Sequence, residues 1–179
     1  MTPTSPKTSS SAGDRIEIRE AMAGDARELA ELLNAIIAQG GTTALETPYA
    51  PERLADRYLV GPTVLCCFVA VDRETGRLEG FQTLGLEEGL PEDVGDIGTF
   101  ARIDGKQRGV GSALFAATRE RARTLGLSAI NATIRADNTG GLTFYGKQGF
   151  ADHSVTPAVP LKDGRLVDRV NKRYALAVS

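Results

Sequence analysis

Hydrophobic and polar positions alternate, run together or recur at helical spacing along this chain, and each pattern predicts an element. Ile16 and Ile18 alternate with Glu17 and Arg19, the two-residue period of a strand with one buried face. Asp25, with Glu28 three residues on, is close to a capping box and opens a helix. Leu29, Leu32, Leu33, Ile36 and Ile37 form its apolar stripe, and Gly40-Gly41 ends it. Pro51 starts a second helix that runs to about Leu59, where Gly61-Pro62 stops it. VLCCFVAVD, residues 64–72, is continuously apolar and short, as a fully buried strand is. RETG turns the chain, and LEGFQTLGLEE returns as the hairpin partner. An acidic, turn-rich stretch, EEGLPEDVGD, precedes another strand, IGTFARI.

From Val110 the spacing predicts a helix over 110–125, closed by Gly126, with Thr118 and Arg121 intruding on its apolar stripe. Ile130, Ala132 and Ile134 alternate as a strand. Asn138 opens a glycine-bearing turn, and 142–148 make a short helix before Gly149-Phe150. VDRVNKRYALAV alternates weakly as a closing strand, leaving His153 in a loop. A meander early and crossovers late predict an α/β or α+β domain with a mixed sheet. No repeat or linker divides it: residues 14–179 read as a single domain behind a polar, disordered tail over 1–13.

Composition narrows the possibilities. The chain has 179 residues, 41% hydrophobic and 25% charged, with 21 basic against 23 acidic side chains. The net charge of −2 favours no nucleic-acid partner. No apolar run approaches the roughly 20 residues of a membrane span. The two cysteines, Cys66 and Cys67, are adjacent in a strand and so point to opposite faces. They read as packing residues in a reducing cytosol, not as a disulfide or a metal pair.

The chemistry concentrates in KQRGVGSALF, where a strand gives way to a helix. A helix N-terminus exposes unpaired N–H groups and a partial positive charge. Gly109 and Gly111 carry no Cβ to hold a phosphate off those amides. Lys106 and Arg108 add charge at the rim, and Gln107 adds neutral donors. The amides of 109–113, Gly109, Val110, Gly111, Ser112 and Ala113, would cradle a diphosphate. The alternative is a glycine-rich connection with solvated cations. No Lys-Ser/Thr pair follows the glycines as a P-loop requires, and Leu114 stands where a dinucleotide fingerprint needs its third glycine.

Taken together, IGTFARIDGKQRGVGSALF and the pattern from Asn138 through Tyr145 to Gly149-Phe150 resemble the GNAT superfamily of acyl-CoA-dependent N-acetyltransferases. GGTTALETP and EDVGDIGTFARI look most like its phosphinothricin-acetyltransferase-like branch. The pyrophosphate loop, usually Q/R-x-x-G-x-G/A, begins here with Lys106, which keeps the charge and loses a bidentate fork.

The resemblance implies a GNAT-like fold: a central, mostly antiparallel sheet with splayed strands, flanked by helices. It implies acetyl-CoA as co-substrate, no metal, and a small primary amine such as an amino acid or its analogue as acceptor. The alternatives are a protein N-terminus or lysine as acceptor, and a non-catalytic acyl-CoA-binding module. A cytoplasmic enzyme, sometimes a homodimer, fits the family. Thr99, Phe100 and Ala101 would pair their backbone with the pantetheine arm, and Asn138 would contact the cofactor or cap the following helix. Tyr145 falls on the family's tyrosine position and would protonate the departing thiolate; otherwise it packs like Phe144. Asp96 stands where the branch carries a glutamate. It would take the ammonium proton, through a water given its shorter side chain, or else be a solvated turn residue. Thr42, Thr43 and Glu46 would shape the acceptor pocket. Glu87, Glu88, Glu92 and Asp93 would draw a cationic amine inward or simply be solvated.

Overall fold

The computed structural model describes residues 15–105 and 108–177. The expected tail over 1–13 lies outside them, as do Lys106 and Gln107. Among the described residues seven strands form one sheet in the order β1-β2-β3-β4-β5-β7-β6. They are β1 (Ile16–Glu20), β2 (Val64–Asp72), β3 (Leu78–Gly85), β4 (Val94–Ala101), β5 (Ala129–Arg135), β6 (Ala151–Pro160) and β7 (Leu166–Ala175). All neighbours are antiparallel except β4 and β5. The α-helices among the described residues are α1 (Ala26–Gln39, preceded by a 3-10 turn over Ala23–Asp25), α2 (Pro51–Leu54, continued by a wider π turn over Ala55–Leu59), α3 (Val110–Thr124) and α4 (Thr139–Gln148).

Alternation along the strands divides the core into two layers. Cys67, Val69 and Phe81 pack under Leu29, Leu33 and Leu54 of α1 and α2. Cys66, Phe68, Ile97, Ile130, Ala132 and Ile134 face Leu114 and Phe115 of α3 and Tyr145 of α4. The adjacent cysteines do point to opposite layers. Burial pushes the Cys66 thiol up to about 11 and the Cys67 thiol higher, so both are unreactive packing groups.

Local expectations differ from the structure at several points, β4 among them, which begins at Val94 within the stretch read as turn-rich. The reciprocal cap at α1 lies one turn earlier than Asp25 and Glu28 imply: the Asp25 carboxylate accepts from Met22 N (2.8 Å) and from both ends of the Arg19 guanidinium (2.8 and 2.9 Å). Glu28 instead accepts from Leu78 N (2.8 Å) and Arg102 (3.2 Å), tying α1 to the sheet. His153 lies in strand β6, at a bulge between Asp152 and Ser154, not in a loop. The short last helix begins at Thr139, three residues before its first apolar side chain.

Candidate active site

The parallel pairing of β4 and β5 holds at only three positions, ending at Asp96 opposite Asn131. Past that point β4 stays on β3 and β5 stays on β7, so the two strands part. Among the described residues the edge of β4 over 97–101 that turns toward β5 has no strand to pair with. A cleft of about 990 Å³ opens there, lined by β4, the ends of β5, the start of α3, α4 and the loop after α1.

On the α3/α4 side, Gly109 caps α3 with φ of 78°, a left-handed conformation that glycine adopts without strain. Among the described residues no side chain caps this helix. The amides of Val110, Gly111 and Ser112 therefore begin the helix without a helical partner. Ala113 leaves the expected set: its N–H donates to Gly109 O at 3.0 Å and is spent inside the helix. The two glycines serve different ends. A Cβ at Gly109 would meet nothing within 4 Å, so the backbone there is open to a guest. A Cβ on Gly111 would stand 2.8 Å from the Phe144 ring, so this glycine is needed for packing against α4. Arg108 is exposed and does not line the cleft.

Asn138 caps the following helix, the second of its two readings. Its Oδ1 caps α4 by accepting from Gly141 N (2.9 Å), its Nδ2 donates to Thr42 O (2.8 Å), and it lines the cleft. Thr99 and Tyr145 meet at 2.8 Å between their oxygens. Gln82, fully buried in β3, donates to the same Thr99 oxygen (2.9 Å), and its own Oε1 has no partner. Burial raises the Tyr145 pKa, so its phenol keeps its proton.

Asp96, three residues before Thr99, sits on the other face of β4. Asn131 Nδ2 donates to its Oδ1 (2.9 Å), and Arg173 Nε in turn donates to Asn131 Oδ1 (2.8 Å). Burial pushes the Asp96 carboxyl up to about 6, although the Asn131 donor pulls the other way. Base and acid candidates thus flank one strand, joined through the gap beside it. Thr42 and Thr43 line the cleft, but Glu46 does not: it accepts from the backbone N of Lys162 (3.1 and 3.2 Å). Glu87 reaches the cleft and pairs with Arg57 at 2.7 Å.

Sequence reasoning missed Gln82, Asn131, Arg57 and Tyr58. The last two ride on the π turn of α2, where Val60 N donates to Ala55 O at 2.9 Å. Gln82 had one signal, a lone amide in an apolar strand.

The described residues fit the cofactor that the resemblance implies. An uncapped helix start offers amides to a diphosphate, Gly109 leaves room beside it, and a free strand edge runs from there to Tyr145. Solved structures of the same architecture include a phosphinothricin acetyltransferase from Sinorhizobium meliloti in complex with acetyl-CoA (TM-score 0.77, 20% identity, covering 91% of this chain and 89% of that one). A ribosomal-protein-alanine N-acetyltransferase from Brucella melitensis gives 0.75 at 21% identity, over 89% and 99%. An N-acetyltransferase from Staphylococcus aureus gives 0.77 at 19%, over 90% and 99%. No curated protein sequence matches the chain significantly. The profile of the acetyltransferase (GNAT) family matches residues 31–150, more than half of the 179, across the parted strands and both glycine turns. The chain belongs to that family of acetyl-CoA-dependent acetyltransferases.

Proposed function

We propose that this chain acetylates the primary amine of a small molecule, an amino acid or an analogue of one, by direct transfer in the cytosol. The observation that carries the reading is the cleft at the parting of β4 and β5, with Tyr145 on one face of β4 and Asp96 on the other. A resemblance of fold to a phosphinothricin acetyltransferase supports a small amino-acid-like acceptor.

Acetyl-CoA supplies an activated thioester when bound. The amides of Val110, Gly111 and Ser112 and the positive end of α3 hold its diphosphate, with Lys106, Gln107 and Arg108 as the flanking polar residues. The β4 edge at Thr99, Phe100 and Ala101 aligns the pantetheine arm by backbone pairing, and Asn138 borders the mouth. Asp96, with a pKa of about 6, is mostly ionised at neutral pH and takes the ammonium proton, directly or through a water. Tyr145 stays protonated and gives its proton toward the departing sulfur. Neither cysteine lines the cleft and both thiols are buried, so no covalent enzyme intermediate is needed.

The test is release of free thiol from acetyl-CoA with a panel of primary amines that includes amino acids and a peptide N-terminus. Turnover on an amino acid supports the reading. Turnover on the peptide alone transfers the activity to proteins, and bound cofactor without turnover on any amine overturns it.

A further inference from the structure

The ladder between β3 and β4 sets Gln82 directly opposite Thr99, and at the neighbouring pair the rings of Phe81 and Phe100 stack at 4.9 Å, which fixes the register. Thr99 Oγ1 lies 2.9 Å from Gln82 Nε2 and 2.8 Å from the Tyr145 hydroxyl. Thr99 and Tyr145 line the cleft; Gln82 does not, and is fully buried one strand away from it.

A row of an amide and two hydroxyls can carry its hydrogens in either direction. With the amide oxygen toward Thr99, the Thr99 hydrogen would go to Gln82 and the Tyr145 hydrogen would turn back onto Thr99. With Nε2 toward Thr99 the row runs the other way. Thr99 then accepts from the amide, and its one hydrogen is left for the phenolic oxygen. The phenolic hydrogen is free to point into the cleft. The arrangement leaves Gln82 Oε1 buried and without a partner among the described residues. An unpaired buried oxygen destabilises a fold, and an apolar side chain of the same shape would avoid the loss. An amide kept at this position despite that loss is accounted for by the donor it turns to Thr99.

We propose that Gln82 is a positioning residue for the transfer: through Thr99 it turns the Tyr145 hydrogen toward the departing sulfur. The assignment rests on the proposed role of Tyr145 as the acid. As the carbon–sulfur bond breaks with its electron pair going to sulfur, Tyr145 gives that sulfur its proton. Thr99 then donates to the phenolate left behind. The phenolate regains a proton, through water, from the newly acylated nitrogen.

Gln82→Met tests this, because it keeps the length of the side chain and removes the amide. It should lower kcat by about 10-fold, the worth of one hydrogen bond, with KM for acetyl-CoA and for the amine little changed. It should melt no lower than the unaltered protein, since the orphaned oxygen goes with the amide. Combined with Tyr145→Phe it should change kcat no further, because the group it orients is gone. An unchanged kcat in Gln82→Met, or the same loss with and without the Tyr145 hydroxyl, overturns the assignment. Loss of the fold in both Gln82→Met and Gln82→Leu would make the amide structural and overturn it as well. If no amine is acetylated, a trifluorinated tyrosine installed at position 145, a stronger acid than tyrosine, reads the direction of the row by its fluorine resonances. Among the described residues the charged group that acts on Tyr145 is Asp96, which both proteins retain. A Thr99 hydrogen held toward the phenolic oxygen favours the phenolate, so Gln82→Met should raise the pKa of that phenol by about one unit. That rise keeps the orientation by Gln82 while the acetyl-transfer reading falls; equal values in the two proteins remove it.

Discussion

The Thr99 hydroxyl accepts a hydrogen from Gln82 Nε2 and can still donate its own to Tyr145, which leaves the phenolic hydrogen free for a third partner in the cleft. Tyr145→Phe should therefore lower kcat by ~100-fold, within the range for a lost general acid, with the dissociation constant for acetyl-CoA nearly unchanged. Steady-state kinetics beside calorimetry separate the two, and an unchanged kcat would return Tyr145 to the role of packing residue. Asp96 makes two predictions through its raised pKa. The kcat/KM profile should rise through pH of about 6 as the carboxylate forms, and Asp96→Asn should lower the rate and abolish that limb. Its folded pKa lies above the unfolded value, so the folded protein binds more protons between those values and loses stability as pH rises through them. Asp96→Asn keeps a hydrogen-bond acceptor for Asn131 and removes a buried charge. It should gain roughly 1–3 kcal/mol of stability at neutral pH, a gain that vanishes below pH ~4. Thermal melts at the two pH values read this directly, and a neutral-pH loss would contradict the burial of Asp96.

Helix α3 and strand β4 divide the work of the cleft, and the glycines between them test the division. Gly111→Ala puts a methyl 2.8 Å from the Phe144 ring, so it should push α4 outward and cost about 1–3 kcal/mol, the usual range for overpacking. Gly109→Ala meets no atom but is strained at φ of 78°, and should cost about 1–2 kcal/mol from backbone alone. Chemical denaturation checks both, and a neutral Gly111→Ala would mean that the glycine serves the guest alone. Elements with one buried face were legible before the structure: β2 spans the predicted residues and α3 differs at its end by one, because burial imposes period two or 3.6 on such segments. β6 was not, since it is exposed at nearly every position and has no apolar rhythm to read. Pairing with β7 holds it, with a bulge between Thr156 and Val159, where Ala158 has a φ of 53°. The site divides in the same way. Tyr145, Asn138 and Gly109 stand in a local motif, whereas Asp96 meets Asn131, and Asn131 meets Arg173, only because strands bring together residues 35 and 42 positions apart.

Across the whole molecule, one strand separates two approaches. Helices α3 and α4 flank the side where Thr99 meets Tyr145, and the polar face of β5 and β7 flanks the side of Asp96. Two substrates can then reach one gap without crossing, an arrangement suited to direct transfer. The net charge of −2 gives no general attraction for a polyanion, so the proposed diphosphate site at the helix start needs a local one. Calorimetric titration with coenzyme A, set beside pantetheine lacking the diphosphate, measures that contribution directly. The account predicts one molecule bound per chain and a dissociation constant at least about tenfold weaker without the diphosphate, the worth of its charge-assisted hydrogen bonds. No heat with coenzyme A, or equal affinity for the two compounds, would contradict it.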